Sequence, residues 1–192
     1  VSMALDRIDK HDGVIIADVV GLGKSIIAST VAHNLGMNSV IISPPHLIPQ
    51  WEDYKEQFEI LGSKVFSSGK ISEVYERYIS SEKPILLIVD EAHRFRNEDT
   101  ENYKKIHKIC RSHPENKVIL LTATPFNNSP QDIFALMKLF QTPGKSTIRN
   151  IDNLSLRFRD LISRYQKLRR QVLKTKKSDL DKELDQISAE QR

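Results

Sequence analysis

Residues 14–25 read VIIADVVGLGKS, so a short apolar run passes directly into a turn that contains two glycines. Continuous apolar runs of this length are typical of parallel strands that are covered on both faces. Further strand-like runs occur at residues 40–42, 64–66, 85–89 and 118–121. Segments with helical character separate them, at residues 25–35, 48–58, 72–81, 100–110 and 131–140. This alternation predicts an α/β fold with an open, mainly parallel sheet and helices on both faces.

The turn at residues 18–25 has the character of a phosphate-binding loop. Glycines there expose backbone N–H groups, which converge on phosphate at the N-terminus of the following helix. The generic loop G-x-x-x-x-G-K-[ST] begins with glycine where this chain has Asp18, so an ordinary turn is the alternative. Lys24 would reach the terminal phosphates, and the Ser25 hydroxyl would ligate Mg²⁺. The nucleotide-binding residues predicted here are Asp18, Gly21, Leu22, Gly23, Lys24 and Ser25.

Two adjacent carboxylates, Asp90 and Glu91, follow the most apolar run of the chain. Carboxylates at a buried strand end are costly unless a cation neutralises them. A nucleotide with its Mg²⁺ ion supplies that cation, with Asp90 holding the metal largely through water and Glu91 polarising the attacking water. The alternative is a helix N-cap formed by Asp90, with Glu91 in the first turn.

Two hydroxyl residues, Thr122 and Thr124, come just after the run at residues 118–121. Hydroxyls at a strand end can bridge the acidic motif to whatever binds on the far face. Pro125 follows them, so a simple turn opening is the alternative.

Two other patterns are predicted not to form sites. Residues 144–146 repeat the tripeptide Gly-Lys-Ser, but no strand precedes them and no glycine stands at the required offset. His107, Cys110 and His113 have the residue types of a zinc site but lack a fourth ligand at suitable spacing.

The positive charge of the chain is concentrated after residue 150. Residues 1–150 hold 18 basic and 18 acidic side chains, whereas residues 151–192 hold 11 basic and 7 acidic ones, which accounts for the net charge of +4. Nine basic residues and only Asp160 on the acidic side lie at residues 157–177. Such a segment can neutralise phosphates, so nucleic acid is a candidate partner, and a solvated helix face is the alternative.

The same segment has an apolar stripe at positions 154, 158, 161, 165, 168 and 172, which predicts a helix. Ser178 and Asp181 have the spacing of a capping box, so a second helix is expected to begin there. We therefore predict a lobe over residues 1–145 and a C-terminal helical pair, basic then acidic, over residues 146–192.

Composition excludes several classes of protein. The chain has 192 residues, 39% of them hydrophobic, and its apolar runs are far shorter than a membrane crossing requires. A single cysteine cannot form an internal disulfide, and no signal peptide is evident at the first residues. A cytoplasmic location is expected, and the chain is expected to be part of a longer protein.

In this order, four segments resemble the motifs of the first RecA-like lobe of superfamily 2 helicase-type ATPases, and most closely the Swi/Snf-like branch. Residues 18–25 are similar to the D-E-M-G-L-G-K-T motif I of that branch, which also has Asp at the first position. Residues 43–51, SPPHLIPQW, resemble motif Ia; residues 90–97, DEAHRFRN, resemble motif II; residues 121–128, LTATPFNN, resemble motif III.

This resemblance implies a P-loop NTPase lobe of an ATP- and Mg²⁺-dependent translocase on double-stranded DNA. It implies catalytic roles for Lys24, Asp90 and Glu91, and a second RecA-like lobe in the same polypeptide. It also implies that His93, Thr122 and Thr124 couple the nucleotide state to the DNA-facing surface. Val19, Val20 and Ser25 depart from the common Glu, Met and Thr of the branch, and they favour a bacterial or phage-type member, acting in the bacterial cytoplasm or nucleoid.

The same resemblance places motif Ia against one DNA strand, through Ser43 and Pro44. Trp51 is expected to pack its helix onto the sheet. We also predict DNA contacts by the tail residues Arg157, Arg164, Lys167, Arg169 and Arg170. Two alternatives remain open at this point: a strand-separating DNA or RNA helicase of the same superfamily, and a nucleotide-binding scaffold without turnover.

Overall fold

The structure is a computed structural model that describes residues 1–17, 23–60, 62–124, 129–148 and 150–190, with side chains described up to residue 174. None of the helices in these ranges combines the length and apolar character that a membrane crossing needs.

Five parallel strands in the described part of the chain form one sheet in the order β1-β5-β4-β2-β3. They are β1 (Gly13–Ala17), β2 (Asn38–Ser43), β3 (Lys64–Ser67), β4 (Ile85–Val89) and β5 (Lys117–Thr122). All five strands lie where the apolar runs predicted them. The parallel arrangement follows from a helical crossover between each strand and the next.

Within the described ranges, seven α-helices accompany the sheet. They are α1 (Ser2–His11), α2 (Lys24–Leu35), α3 (Ile48–Gln57), α4 (Ile71–Tyr78), α5 (Glu101–Arg111), α6 (Pro130–Lys138) and α7 (Leu154–Glu190). Helices α2 to α6 confirm the five helical segments that the sequence predicts. Sequence analysis did not predict α1, because only Ala4 and Ile8 of this short, charged helix are buried, and two buried positions are too few to show a period.

Side chains that alternate along the strands form two separate cores. Ile41, Leu86 and Ile88 pack on one face with α1, α2 and α3, and Val40, Leu87 and Val89 pack on the other with α4, α5 and α6. The central strands are therefore covered on both faces, which explains their continuous apolar composition.

Strand β1 lies at an edge of the sheet, and β5 is its neighbour among the described strands. A groove of about 500 Å³ runs along it, lined by α1, β1 and residues that include Met137 and Phe140. The Phe140 ring lies so close to Gly13 that a β-carbon at position 13 would come within 2.5 Å of it.

The predicted C-terminal helical pair is wrong: the backbone forms one helix, α7, that continues through Ser178 to Glu190. No glycine or proline interrupts residues 154–190, and a Ser-x-x-Asp pair fits a helix interior as well as a helix start. Leu154 is buried, and Phe158 stacks on Phe134 of α6 with 4.6 Å between ring centroids. Farther along the stripe, Leu168 and Val172 are exposed. The division of the chain at residue 145 stays a prediction.

Candidate nucleotide site

The carboxyl ends of the four strands β1, β5, β4 and β2 meet at one edge of the sheet. Ala17 pairs with Thr122, and Val89 pairs with both Leu120 and Ile42. Because the strands are parallel and in this register, residues 90–93 and 122–124 lie side by side at this edge. Lys24, whose charge acts on Asp90, belongs to the described part of the first segment that sequence analysis singled out, residues 23–25.

The N-terminus of α2 opens toward this edge. Gly23 is the N-cap residue and has φ 78°, a left-handed conformation that favours glycine. Lys24 and Ser25 are the first two residues of the helix, and the helix dipole favours a bound anion at this end. The placement of Gly23, Lys24 and Ser25 at this helix N-terminus is compatible with the nucleotide binding that was predicted for them. The predictions for Asp18, Gly21 and Leu22 lie outside the described residues.

The Asp90 carboxylate is almost fully buried, with 5% of the residue exposed, directly beyond β4. Its Oδ1 accepts a hydrogen bond from the Glu91 N–H at 2.8 Å, and its Oδ2 accepts one from Trp51 Nε1 at 2.9 Å. Burial raises the pKa of Asp90 above its ordinary value, whereas these two hydrogen bonds and the charge of Lys24 act in the opposite direction. The ammonium group of Lys24 therefore lies close enough to the Asp90 carboxylate for its positive charge to act on the pKa of that carboxylate.

Glu91 has an uncommon backbone conformation, with φ 50° and ψ 46°. This left-handed geometry is costly for a residue with a β-carbon and occurs most often at functional sites. The side chain is partly exposed, and its Oε2 lies 3.0 Å from Nδ1 of His93, in the short 3-10 helix Ala92–Phe95. The Glu91 carboxylate thus lies at the surface beside His93, and its catalytic role stays a prediction.

The two threonines lie beside the acidic segment, at the end of the strand between β1 and β4. Thr122 is fully buried, and its hydroxyl oxygen accepts a hydrogen bond from the Thr124 N–H at 3.1 Å. Ser43 is also fully buried, and its hydroxyl points to the carbonyl of Pro44 at 3.4 Å. Pro44 is buried as well, and the exposed residues of the segment 43–51 are Pro45, His46, Pro49 and Gln50.

The donor set fits a magnesium-bound nucleotide. Asp90 offers the hard oxygen atoms that Mg²⁺ prefers, and each oxygen keeps a lone pair beyond the hydrogen bond that it accepts. The Ser25 hydroxyl and the Lys24 ammonium stand at the facing helix N-terminus. Asp90, Ser25 and Lys24 are therefore the residues that would hold ATP and Mg²⁺.

Comparison with known families identifies the fold. A sequence model described as the SNF2-related domain matches residues 70–190, more than half of the chain. The chain belongs to this family. The resemblance to the Swi/Snf-like branch is thus confirmed, and the narrower interpretation as a bacterial or phage-type member stays a prediction.

Relatives of this SNF2-related chain come from several kingdoms. It is 29% identical over 160 residues to the "Uncharacterized ATP-dependent helicase YqhH" of Bacillus subtilis, covering 71% of this chain and 28% of that protein. It is 27% identical to the "CHD3-type chromatin-remodeling factor CHR7" of Arabidopsis thaliana, covering 91% and 17%. It is 30% identical to the "Putative ATP-dependent RNA helicase L538" of Acanthamoeba polyphaga mimivirus, covering 70% and 30%. The chain therefore spans less than a third of these relatives.

Solved structures support the same fold. The SWI2/SNF2 ATPase core of Sulfolobus solfataricus, solved in complex with dsDNA, superposes with a TM-score of 0.61 at 20% identity, covering 85% of this chain and 41% of that one. The Hef helicase domain of Pyrococcus furiosus superposes with a TM-score of 0.54 at 18% identity, covering 72% and 35%. Together with the five-stranded parallel sheet, these likenesses confirm the predicted RecA-like lobe.

Sequence reasoning missed one contact in this SNF2-related lobe. Trp51 packs α3 onto the sheet as expected and is only 1% exposed, but its indole N–H also reaches Asp90, which lies 39 positions along the chain. The order of the strands could have indicated this contact, because motif Ia follows β2, and β2 is the neighbour of β4 in the sheet.

The basic residues predicted to contact DNA lie along α7 and are exposed, including Arg157, Lys167 and Arg170. Arg164 differs from them, because its guanidinium contacts both carboxylate oxygens of Asp160, at 3.2 and 3.1 Å. Its charge is therefore partly neutralised within the helix.

Proposed function

We propose that this chain is the ATP-binding lobe of an ATP-dependent translocase on double-stranded DNA. The observation that carries the proposal is the meeting of the Lys24 helix N-terminus with the Asp90-Glu91 carboxylates at one edge of a parallel sheet. Membership of the SNF2-related family and the dsDNA complex of the Sulfolobus structure neighbour support the choice of duplex DNA.

Each residue of the site has a distinct part in this proposal. The α2 N-terminus and Lys24 bind and orient the terminal phosphates, since fixed donors and a positive charge favour developing negative charge. Ser25 and Asp90 would hold the metal ion. Bound ATP supplies the phosphoanhydride bond whose hydrolysis releases the free energy for movement. Glu91 orients a water molecule and accepts its proton, and His93 lies against the same carboxylate.

Coupling to DNA is assigned to Thr122 and Thr124. Thr122 ends β5, and Thr124 follows two residues later. Strand β5 lies between β1, which leads into the phosphate loop, and β4, which leads into the acidic motif. A displacement of the phosphate loop or of the acidic motif would therefore be transmitted directly to β5. We propose that a second RecA-like lobe of the same polypeptide completes the enzyme, and that this lobe alone binds nucleotide weakly and hydrolyses it slowly.

The test is the ATPase activity of the full-length protein with duplex DNA, single-stranded DNA, RNA or no nucleic acid. We expect duplex DNA to stimulate turnover about tenfold or more, equivalent to about 1.4 kcal/mol of transition-state stabilisation. Stimulation by single strands or RNA alone would contradict the duplex proposal. Equal, unstimulated turnover under all four conditions would contradict coupling to nucleic acid.

A strand-separating helicase is the second candidate, favoured by the relative named as a putative RNA helicase. Strand displacement on a tailed duplex separates the two candidates. A translocase of the proposed kind should hydrolyse ATP on the duplex without releasing the shorter strand.

A contribution of α7 to DNA binding makes a separate prediction. The double charge reversal Lys167→Glu with Arg170→Glu should weaken DNA binding by the full-length protein and lower the slope of log affinity against log salt by about 2, since each phosphate contact contributes about 0.9. The matched control reverses Lys64 and Lys83, which are exposed at the amino-end edge of the sheet, opposite the nucleotide site. An unchanged salt slope in the α7 variant would exclude these contacts.

A further inference from the structure

The indole of Trp51 connects motif Ia to the acidic motif. Its Nε1 donates a hydrogen bond to Oδ2 of Asp90 at 2.9 Å, and the Glu91 N–H donates to Oδ1 at 2.8 Å. A carboxylate held by one donor on each oxygen cannot rotate about its terminal bond without breaking a hydrogen bond in a site that is nearly closed to water. The plane of the Asp90 carboxylate is therefore fixed by two different segments of the chain.

The donor is itself held in place. Trp51 is 1% exposed and packs in the core cluster that includes Ile41 and Ile88. The Tyr54 ring meets it edge-on with 6.0 Å between centroids, and the Tyr54 hydroxyl accepts a hydrogen bond from Gln50 Nε2 at 2.9 Å. A large aromatic ring that is packed on both sides has little rotational freedom. The N–H of this indole consequently points in one direction.

The choice of acceptor gives this contact its significance. A buried indole N–H needs an acceptor, and a backbone carbonyl would satisfy it equally well. Here the acceptor is the carboxylate to which the proposed function assigns the metal ion. We propose that Trp51 is a positioning residue, which orients the Asp90 carboxylate for a magnesium-bound nucleotide through its indole N–H. This inference rests on the proposed nucleotide site.

The test compares Trp51→Phe with the wild type in the full-length protein, using a fluorescently labelled ADP with Mg²⁺ and again with EDTA in its place. Phenylalanine keeps an aromatic ring in the core but lacks the N–H donor. We expect affinity to fall about tenfold with Mg²⁺ and to change little with EDTA, because a reoriented ligand residue affects the metal-dependent part of binding. The matched control is Tyr54→Phe, which removes a hydroxyl from the same cluster and should bind as the wild type does.

A general loss of packing would lower affinity equally with and without Mg²⁺, and that result would overturn the inference. So would a Trp51→Phe effect of the same size in an Asp90→Ala background, since a residue that acts through Asp90 loses its effect when the carboxylate is absent. If the wild type binds labelled ADP neither with Mg²⁺ nor with EDTA, that result would instead contradict the proposed function itself.

A second measurement covers the case in which Trp51→Phe does not fold. Trp51 is the only tryptophan of these 192 residues, so its indole N–H resonance can be followed in the full-length protein when this lobe alone is isotope-labelled. We expect this resonance to move upfield in Asp90→Asn, because a neutral amide is a weaker acceptor than a carboxylate. An unchanged resonance would overturn the inference by showing that the hydrogen bond is absent.

Discussion

Replacing Lys24 by alanine is expected to lower the ATPase turnover of the full-length protein at least about 100-fold, the loss typical when a preorganised charge at a reacting group is removed. Lys24 is the first residue of α2, and its charge acts on Asp90 across the proposed nucleotide site. Steady-state hydrolysis with saturating duplex DNA measures the effect.

The chain contains its own control for this substitution. Lys145 belongs to a second Gly-Lys-Ser tripeptide, but it is exposed, forms an isolated antiparallel bridge with Thr142, and lies in no helix. Lys145→Ala should leave turnover within about twofold of the wild type, because changes at exposed positions rarely have large effects. Equal losses in both variants, or unchanged turnover in Lys24→Ala, would contradict the assignment of the phosphate loop.

The second large effect is expected at Glu91. Glutamine has nearly the same shape, but its amide cannot accept a proton, so Glu91→Gln should lower turnover about 100-fold to 1,000-fold. Nucleotide binding should be nearly unchanged, because Asp90, Ser25 and Lys24 remain in place. Single-turnover hydrolysis and equilibrium binding of labelled ADP separate the two quantities.

Glu98→Gln is the matched control for the loss of a carboxylate. Glu98 lies close in sequence, but it pairs with Lys138 at 2.6 Å rather than with a residue of the site. It should retain wild-type turnover. A Glu91→Gln variant that turns over normally would show that another group accepts the proton.

The strands were predictable because the sheet is buried on both faces. Ile85, Leu86 and Ile88 are buried on one face of the sheet or the other. The sequence of this strand is therefore an uninterrupted apolar run. The opposite holds for α1, which buries only two side chains and has no visible period. The error at Ser178 arose because a capping pattern does not end a helix that contains no glycine or proline.

The candidate site was predictable as a set of residues but not as a geometry. Strand ends indicate where Lys24, Asp90 and Thr122 lie, since parallel strands place them at one edge. The left-handed backbone of Glu91 and the indole contact of Trp51 depend on tertiary packing. No spacing along the chain encodes a hydrogen bond between residues on different elements.

The position of β1 bears on how this polypeptide behaves when it is concentrated. The strand Gly13–Ala17 contains no charged residue, and its outer backbone groups face no neighbouring strand within the described sheet. Strand edges without charge, proline or cover act as templates for pairing with other chains. Unless another segment covers it, the outer edge of β1 is therefore where self-association of the purified lobe would begin, and a lysine introduced on that edge would be the simplest means of keeping the lobe monomeric.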